Sequence, residues 1–114
     1  MVATLVYYPD RGDLVWLDFS PGSGHEQSGK RPALCISRKE YNIKTSLALF
    51  CPCTSVVKGY PYEVLIQVRD KIQGVVLSDQ VKSLDWKTRN ISFIATLSDN
   101  YLLEVLAKLT TLIE

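Results

Sequence analysis

Gly12-Asp13-Leu14-Val15-Trp16-Leu17-Asp18-Phe19 is the stretch whose reading decides the fold. Leu, Val, Trp and Phe dominate it, a glycine opens it and Pro21 closes it, which predicts a strand over Asp13–Phe19. Outward from it, residues 20–31 form a polar loop with three glycines. Pro32–Ser37 and Leu47–Thr54 read as two more strands, and Arg38–Asn42 between them is too short for more than a helical turn. Lys58-Gly59-Tyr60-Pro61 is a turn signal. Glu63–Val68, Gly74–Ser78, Val81–Asp85 and Ile91–Leu97 complete the strand set. Short strands at close spacing, broken by Gly and Pro, predict a small antiparallel barrel and not alternating β/α units.

The last segment changes period. Ser98 is a good helix N-cap and Asp99 suits the positive end of a helix. Leu102, Leu103, Leu106, Leu109, Leu112 and Ile113 recur at steps of three and four. They predict an amphipathic helix of about four turns packed across the barrel. The expected class is therefore α+β, mainly β, in one domain over residues 1–114.

The composition is ordinary for a globular chain: 46% hydrophobic and 22% charged in 114 residues, with a net charge of +1. The longest uncharged run, Thr45–Val57, is 13 residues and contains a proline. A bilayer span needs about 20 apolar residues, so no membrane partner is expected. No export leader is evident at the start, and a cytoplasmic location is expected. The charge is segregated. Residues 1–29 carry one base, Arg11, against Asp10, Asp13, Asp18 and Glu26, leaving −3. Residues 30–58 carry Lys30, Arg31, Arg38, Lys39, Lys44 and Lys58 against Glu40, leaving +5. An anionic ligand is expected at that second stretch.

Cys35, Cys51 and Cys53 are an odd set without secretory context, and only His25 could join them in a zinc site. Buried free thiols and no metal are the expectation. Gly24-His25-Glu26-Gln27-Ser28-Gly29-Lys30 matches the first seven positions of a phosphate-binding P-loop. The eighth is Arg31, which cannot ligate Mg²⁺ as a hydroxyl does, and Pro32 opens a strand where a P-loop needs a helix. Nucleotide hydrolysis is excluded on those grounds. What remains is a carboxylate, Glu26, near two cations, Lys30 and Arg31, at the end of a loop and the mouth of a strand. Carboxylate, guanidinium and a hydroxyl together suffice for metal-free phosphodiester transesterification.

These residues also carry a resemblance. Gly12–Phe19 with Pro21, then Gly24-x-Glu26-Gln27-x-Gly29-x-Arg31-Pro32-Ala33, resembles the opening of MazF/PemK-type toxins. The resemblance continues through Pro52-Cys53-Thr54, Lys58-Gly59-Tyr60-Pro61-Tyr62-Glu63-Val64 and Gly74–Ser83, in the same order along essentially the whole chain. It implies an SH3-like barrel, a homodimer and the toxin component of a type II toxin–antitoxin system. The implied activity is a metal- and ribosome-independent endoribonuclease that needs no cofactor. It would cut single-stranded mRNA at short sequences and so arrest translation and growth. Attack by the 2′-OH would leave a 2′,3′-cyclic phosphate and a 5′-OH. The implied partner is a cognate antitoxin whose disordered tail covers the RNA site.

Residue by residue, Arg31 and Thr54 match the family's catalytic arginine and threonine, and Glu26 its loop glutamate. Asp79, Gln80 and Lys82 fall in a block that lines the RNA groove of relatives. Gln27, Lys30, Lys58 and Tyr60 join them as expected RNA contacts, with Tyr60 and Tyr62 as stacking platforms and Tyr41 and Trp86 as weaker ones. Trp16 is expected in the core or at a dimer interface. Arginine is a poor base, so Arg31 is expected to stabilise charge and Glu26 to act as the base. Two other classes remain at this stage. One is an SH3-like toxin that binds and inhibits a protein such as gyrase; the other is a non-catalytic RNA-binding module. Neither has reason to assemble Glu26, Arg31 and Thr54.

Overall fold

The computed structural model describes residues 6–114, so the first five positions, on which the expected single-domain span and the expectation about a leader partly rest, lie outside the described residues. Among the described residues seven strands run β1 (Asp13–Asp18), β2 (Lys30–Cys35), β3 (Leu47–Thr54), β4 (Glu63–Val68), β5 (Ile72–Leu77), β6 (Lys82–Asp85) and β7 (Ser92–Thr96). Two α-helices join them, α1 (Lys39–Thr45) and α2 (Asp99–Thr110), with a 3₁₀ turn at Trp86–Thr88. All pairings are antiparallel, in the order β4-β5-β3-β2-β1-β7, and β6 joins β3. The result is a bent, partly open barrel wall with a C-terminal helix, as the sequence predicts.

β3 organises the wall because it is long enough to serve three partners. Its first half pairs β6 from Leu47↔Asp85 to Phe50↔Lys82. Its middle pairs β2, and its last two residues pair β5 at Cys53↔Val76 and Thr54↔Val75. Both faces of the wall are covered at Leu14, Val15 and Leu17, so β1 is a nearly continuous apolar run, with only its Trp16 left on an open stretch. Leu14, Leu34, Cys51, Cys53, Val64 and Val76 form one core with Val105 of α2. Val15, Leu17, Phe19, Ala33, Cys35, Phe50 and Trp86 form a second core on the other face. The three thiols are free and buried, as expected. Burial pushes Cys35 up to about 11 and Cys51 up to about 12, and Cys53 higher still.

Three expectations need correction. β2 starts at Lys30, so Lys30 and Arg31 are strand residues paired with Asp18 and Leu17, and are not in the loop. Pro32 is tolerated there because β2 meets β3 only from Ala33 onward. The segment after β2 is a seven-residue helix instead of a single turn. Its inward residue is polar: Asn42 is fully buried and donates to Pro9 O (2.8 Å) and Ser37 O (3.1 Å) while accepting from Ser37 Oγ (2.6 Å). No apolar periodicity marks such a helix. Finally, α2 has 12 residues and ends at Thr110, short of Leu112 and Ile113, and the expected apolar stripe divides. Val105 is buried and Leu102, Leu106 and Leu109 pack on the core, whereas Leu103, Leu112 and Ile113 are exposed. A helix turns 100° per residue, so Leu103 lies about 110° from the centre of the face formed by Leu102, Val105, Leu106 and Leu109.

Candidate active site

The loop between β1 and β2, residues 19–29, folds back on itself before β2 begins. Phe19 N donates to Gly29 O (2.9 Å) and Gly22 N to Ser28 Oγ (3.1 Å). A Cβ on Gly22 would stand 2.7 Å from Ser28 Cβ, so only glycine allows this closure. The closure presents Ser28 O to Arg31, whose Nε (3.0 Å) and Nη2 (2.8 Å) both donate to it. Nη1 donates to Cys53 O at 3.3 Å. Arg31 is therefore fastened to the residue next to Thr54, with two of the guanidinium's five N–H groups free of any acceptor among the described residues.

Thr54 ends β3, and its Oγ1 accepts from Val56 N at 3.2 Å, which leaves the hydroxyl proton available. Its carbonyl lies against Gly74, where a Cβ would come within 2.3 Å. Two grooves meet at Thr54. One, of about 480 Å³, is lined by Arg31, Lys30, Trp16, Lys71 and Gln73. The other, of about 310 Å³, is lined by His25, Gln27, Lys58, Tyr60, Asp79 and Gln80. The basic stretch is thus divided: Lys30, Arg31 and Lys58 face the grooves, and Arg38, Lys39 and Lys44 are exposed on and beside α1.

The remaining expected residues fall as follows. Tyr60 donates its O–H to Asp79 Oδ1 at 2.9 Å, its ring 6.5 Å from that of Tyr62. Burial and the hydrogen bond to Asp79 push its phenol up to about 12. Glu26 does not reach Arg31: it is paired with Lys82, and neither lines either groove. Gln80 faces its groove but is engaged with the loop, accepting from Gln27 N (3.0 Å) and donating to His25 O (3.4 Å). Trp86 is not a stacking platform. It is 2% exposed, and its Nε1 donates to Asn42 O at 3.1 Å.

Several site residues escape the sequence. Trp16 projects outward, half exposed, into the Arg31 groove. Lys71 and Gln73 reach that groove because β5 pairs β3, skipping β4, a register that no local pattern announces. Glu63 is buried, and its carboxylate accepts from Lys58 N (3.0 Å) and Gly59 N (2.7 Å), holding the turn that carries Tyr60. Among the described residues no three His, Cys, Asp or Glu side chains gather as metal ligands.

Residues 10–113 match the family model described as PemK-like, MazF-like toxin of type II toxin-antitoxin system. The chain belongs to this toxin family. Among relatives of the PemK/MazF-like family, the endoribonuclease toxin MazF of Escherichia coli K12 is 45% identical over 107 residues, 94% of this chain and 96% of its own. The endoribonuclease toxin ChpB of the same organism is 33% identical over 111 residues, covering 92% of this chain and 94% of its own. The crystal structure of MazF from Deinococcus radiodurans superposes with a TM-score of 0.91 at 47% identity, covering 95% and 98% of the two chains. A MazE–MazF crystal structure from that organism gives 0.83 at 42% identity, over 95% and 97%.

Proposed function

We propose that this chain is the endoribonuclease toxin of a type II toxin–antitoxin pair, and that it cuts single-stranded mRNA by attack of the ribose 2′-OH on the adjacent phosphate. Membership in the toxin family and the endoribonuclease names of its relatives support the activity. One observation carries the chemistry: Arg31 and Thr54 are joined through Cys53 O at the junction of two grooves. A phosphate seated there meets the free guanidinium N–H groups and the Thr54 hydroxyl. Both strengthen their hold as the phosphorane gains charge, and this favours the transition state over the substrate. The 2′-oxygen gives up its proton and closes a cyclic phosphate, and water carries that proton to the 5′-oxygen, which leaves as a hydroxyl, with no metal or cofactor in the scheme.

Lys30 flanks the phosphate path on one side, while Lys58, Tyr60, Asp79 and the Gln27 side chain offer hydrogen bonds to a base on the other. Glu26 serves as base only in a conformation that separates it from Lys82. The partner is an antitoxin whose extended tail occupies the same grooves, in keeping with the MazE–MazF structures of the relative. A second copy of the chain would cover outward apolar residues such as Trp16, Phe93 and Ile113.

The test is incubation of purified protein with a mixed single-stranded RNA pool in EDTA, followed by analysis of product ends. Cleavage with cyclic phosphate and 5′-OH ends is expected. Arg31→Ala should slow it by about 100-fold, the scale of losing one transition-state charge stabiliser. Intact RNA across varied sequences would sink the activity, and full activity in Arg31→Ala would sink the assignment.

A further inference from the structure

Gln80 and Lys82 sit at the corner between β5 and β6, 53 and 56 residues along the chain from the two loop residues they hold, Gln27 and Glu26. Gln80 uses both ends of its amide on the loop backbone, its oxygen accepting from Gln27 N and its nitrogen donating to His25 O. Lys82 takes the carboxylate of Glu26, the residue between them. Three consecutive loop residues are therefore gripped by two side chains from one corner. On the other flank Arg31 grips Ser28 O, so the loop tip is fixed from both sides. Lys82 lines neither groove, whereas the loop it holds supplies His25 and Gln27 to one of them.

We propose that Gln80 and Lys82 are positioning residues: together they form a latch that sets the 19–29 loop as one wall of the groove beside Thr54, Lys82 from outside the groove and Gln80 from its lining, with its amide spent on the loop. The proposal rests on the endoribonuclease reading for its effect on cleavage, but the latch itself is a property of the free protein. Gln80 is the stronger half, because its two hydrogen bonds are directed at fixed backbone groups. The Glu26 and Lys82 side chains are 46% and 23% exposed, and a pair that wet contributes little energy but fixes where Glu26 points. The latch also explains why Glu26 stays away from Arg31.

Two readouts test it. The first is amide hydrogen exchange of Gln27 without RNA. Gln80→Leu should speed it about tenfold, the loss expected for one hydrogen bond of roughly 1.4 kcal/mol. Gln80→Glu, which keeps the acceptor oxygen, should restore most of the protection, and amides of β5 should be unchanged in both. Equal Gln27 exchange in wild type and Gln80→Leu overturns the latch.

The second readout is cleavage against salt. A lysine that neutralises a phosphate contributes about 0.7 to the slope of log affinity against log salt for a single strand. Lys82→Gln should leave that slope unchanged, and Gln80→Leu should raise KM about tenfold with kcat within about threefold, since Arg31 and Thr54 keep their places. A slope reduced by about 0.7 in Lys82→Gln makes Lys82 a direct RNA contact and overturns its assignment. A chain that cuts no RNA but shows the exchange change retains the latch and loses only the activity.

Discussion

A single missing side chain decides the position of Thr54. Because Gly74 has no Cβ, β5 closes on the last residue of β3 until the Thr54 carbonyl occupies the space a methyl would fill, 2.3 Å from the ideal Cβ position. Gly74→Ala must push the strands apart at that point, which costs about 1–3 kcal/mol as overpacking. The larger effect falls on chemistry, since a shift of about 1 Å in a reacting group can cost a hundredfold in rate. Steady-state kinetics on a short RNA should therefore show kcat reduced about 100-fold in Gly74→Ala while most of the protein remains folded. A kcat within twofold of wild type would show that the threonine's exact seat is unimportant. At this scale the sequence was partly transparent. Arg31 and Thr54 stand out through resemblance, and the structure brings them together. The partner of Glu26 does not stand out, because a loop carboxylate with Lys30 and Arg31 close in sequence is captured by Lys82 from another element.

Among the elements, α1 shows how a polar residue can organise a fold. Asn42 joins the N-terminal segment at Pro9, the end of β2 through Ser37, and the Trp86 indole, with Ser46 closing the helix in a left-handed conformation (φ 61°) by donating to Asn42 O. Asn42→Leu fills similar space but leaves the Ser37 hydroxyl and Pro9 carbonyl without their partner. The expected loss is about 2–3 kcal/mol, a fall of roughly 10 °C in Tm by thermal denaturation. Activity well below that temperature should be retained, since none of these groups touches either groove. The same residue explains why a reading based on apolar periodicity allowed only a helical turn where α1 stands. Strands were legible where Val, Leu and Phe runs met Gly or Pro, and their ends were off by one or two residues. The pairing of β5 with β3 was not legible, since it follows from how the whole wall curves.

For the molecule as a whole, three thiols buried in the cores link stability to alkaline pH. Cys35 and Cys51 ionise near 9 when unfolded but are held up to about 11 and 12 by burial. Between those limits the folded chain keeps protons that the unfolded chain has released, so unfolding becomes easier as pH rises. Stability should be unaffected by these groups below pH 9 and fall progressively above it. Denaturant midpoints measured from pH 7 to 11 check this, and Cys51→Ala should flatten the decline. Native thiols should also resist alkylation at pH 8 and all react in guanidinium.

The pairing of β1 with β7 has a consequence in time. Residues 13–16 of the first strand find their partners only at 92–96, and Val105 of α2 completes the core against which β1 rests. A growing chain emerging at about 5–20 residues per second must wait several seconds, with its first strand unpaired on one side, for the means to finish the wall. A chain stopped at residue 90 should accordingly show no slowly exchanging amides in β1 and no ribonuclease activity. A protected, active fragment of that length would refute the inference. The cell that makes such a toxin therefore receives a harmless polypeptide until synthesis is almost done, and the last quarter of the message acts as the release on the weapon encoded by the first half.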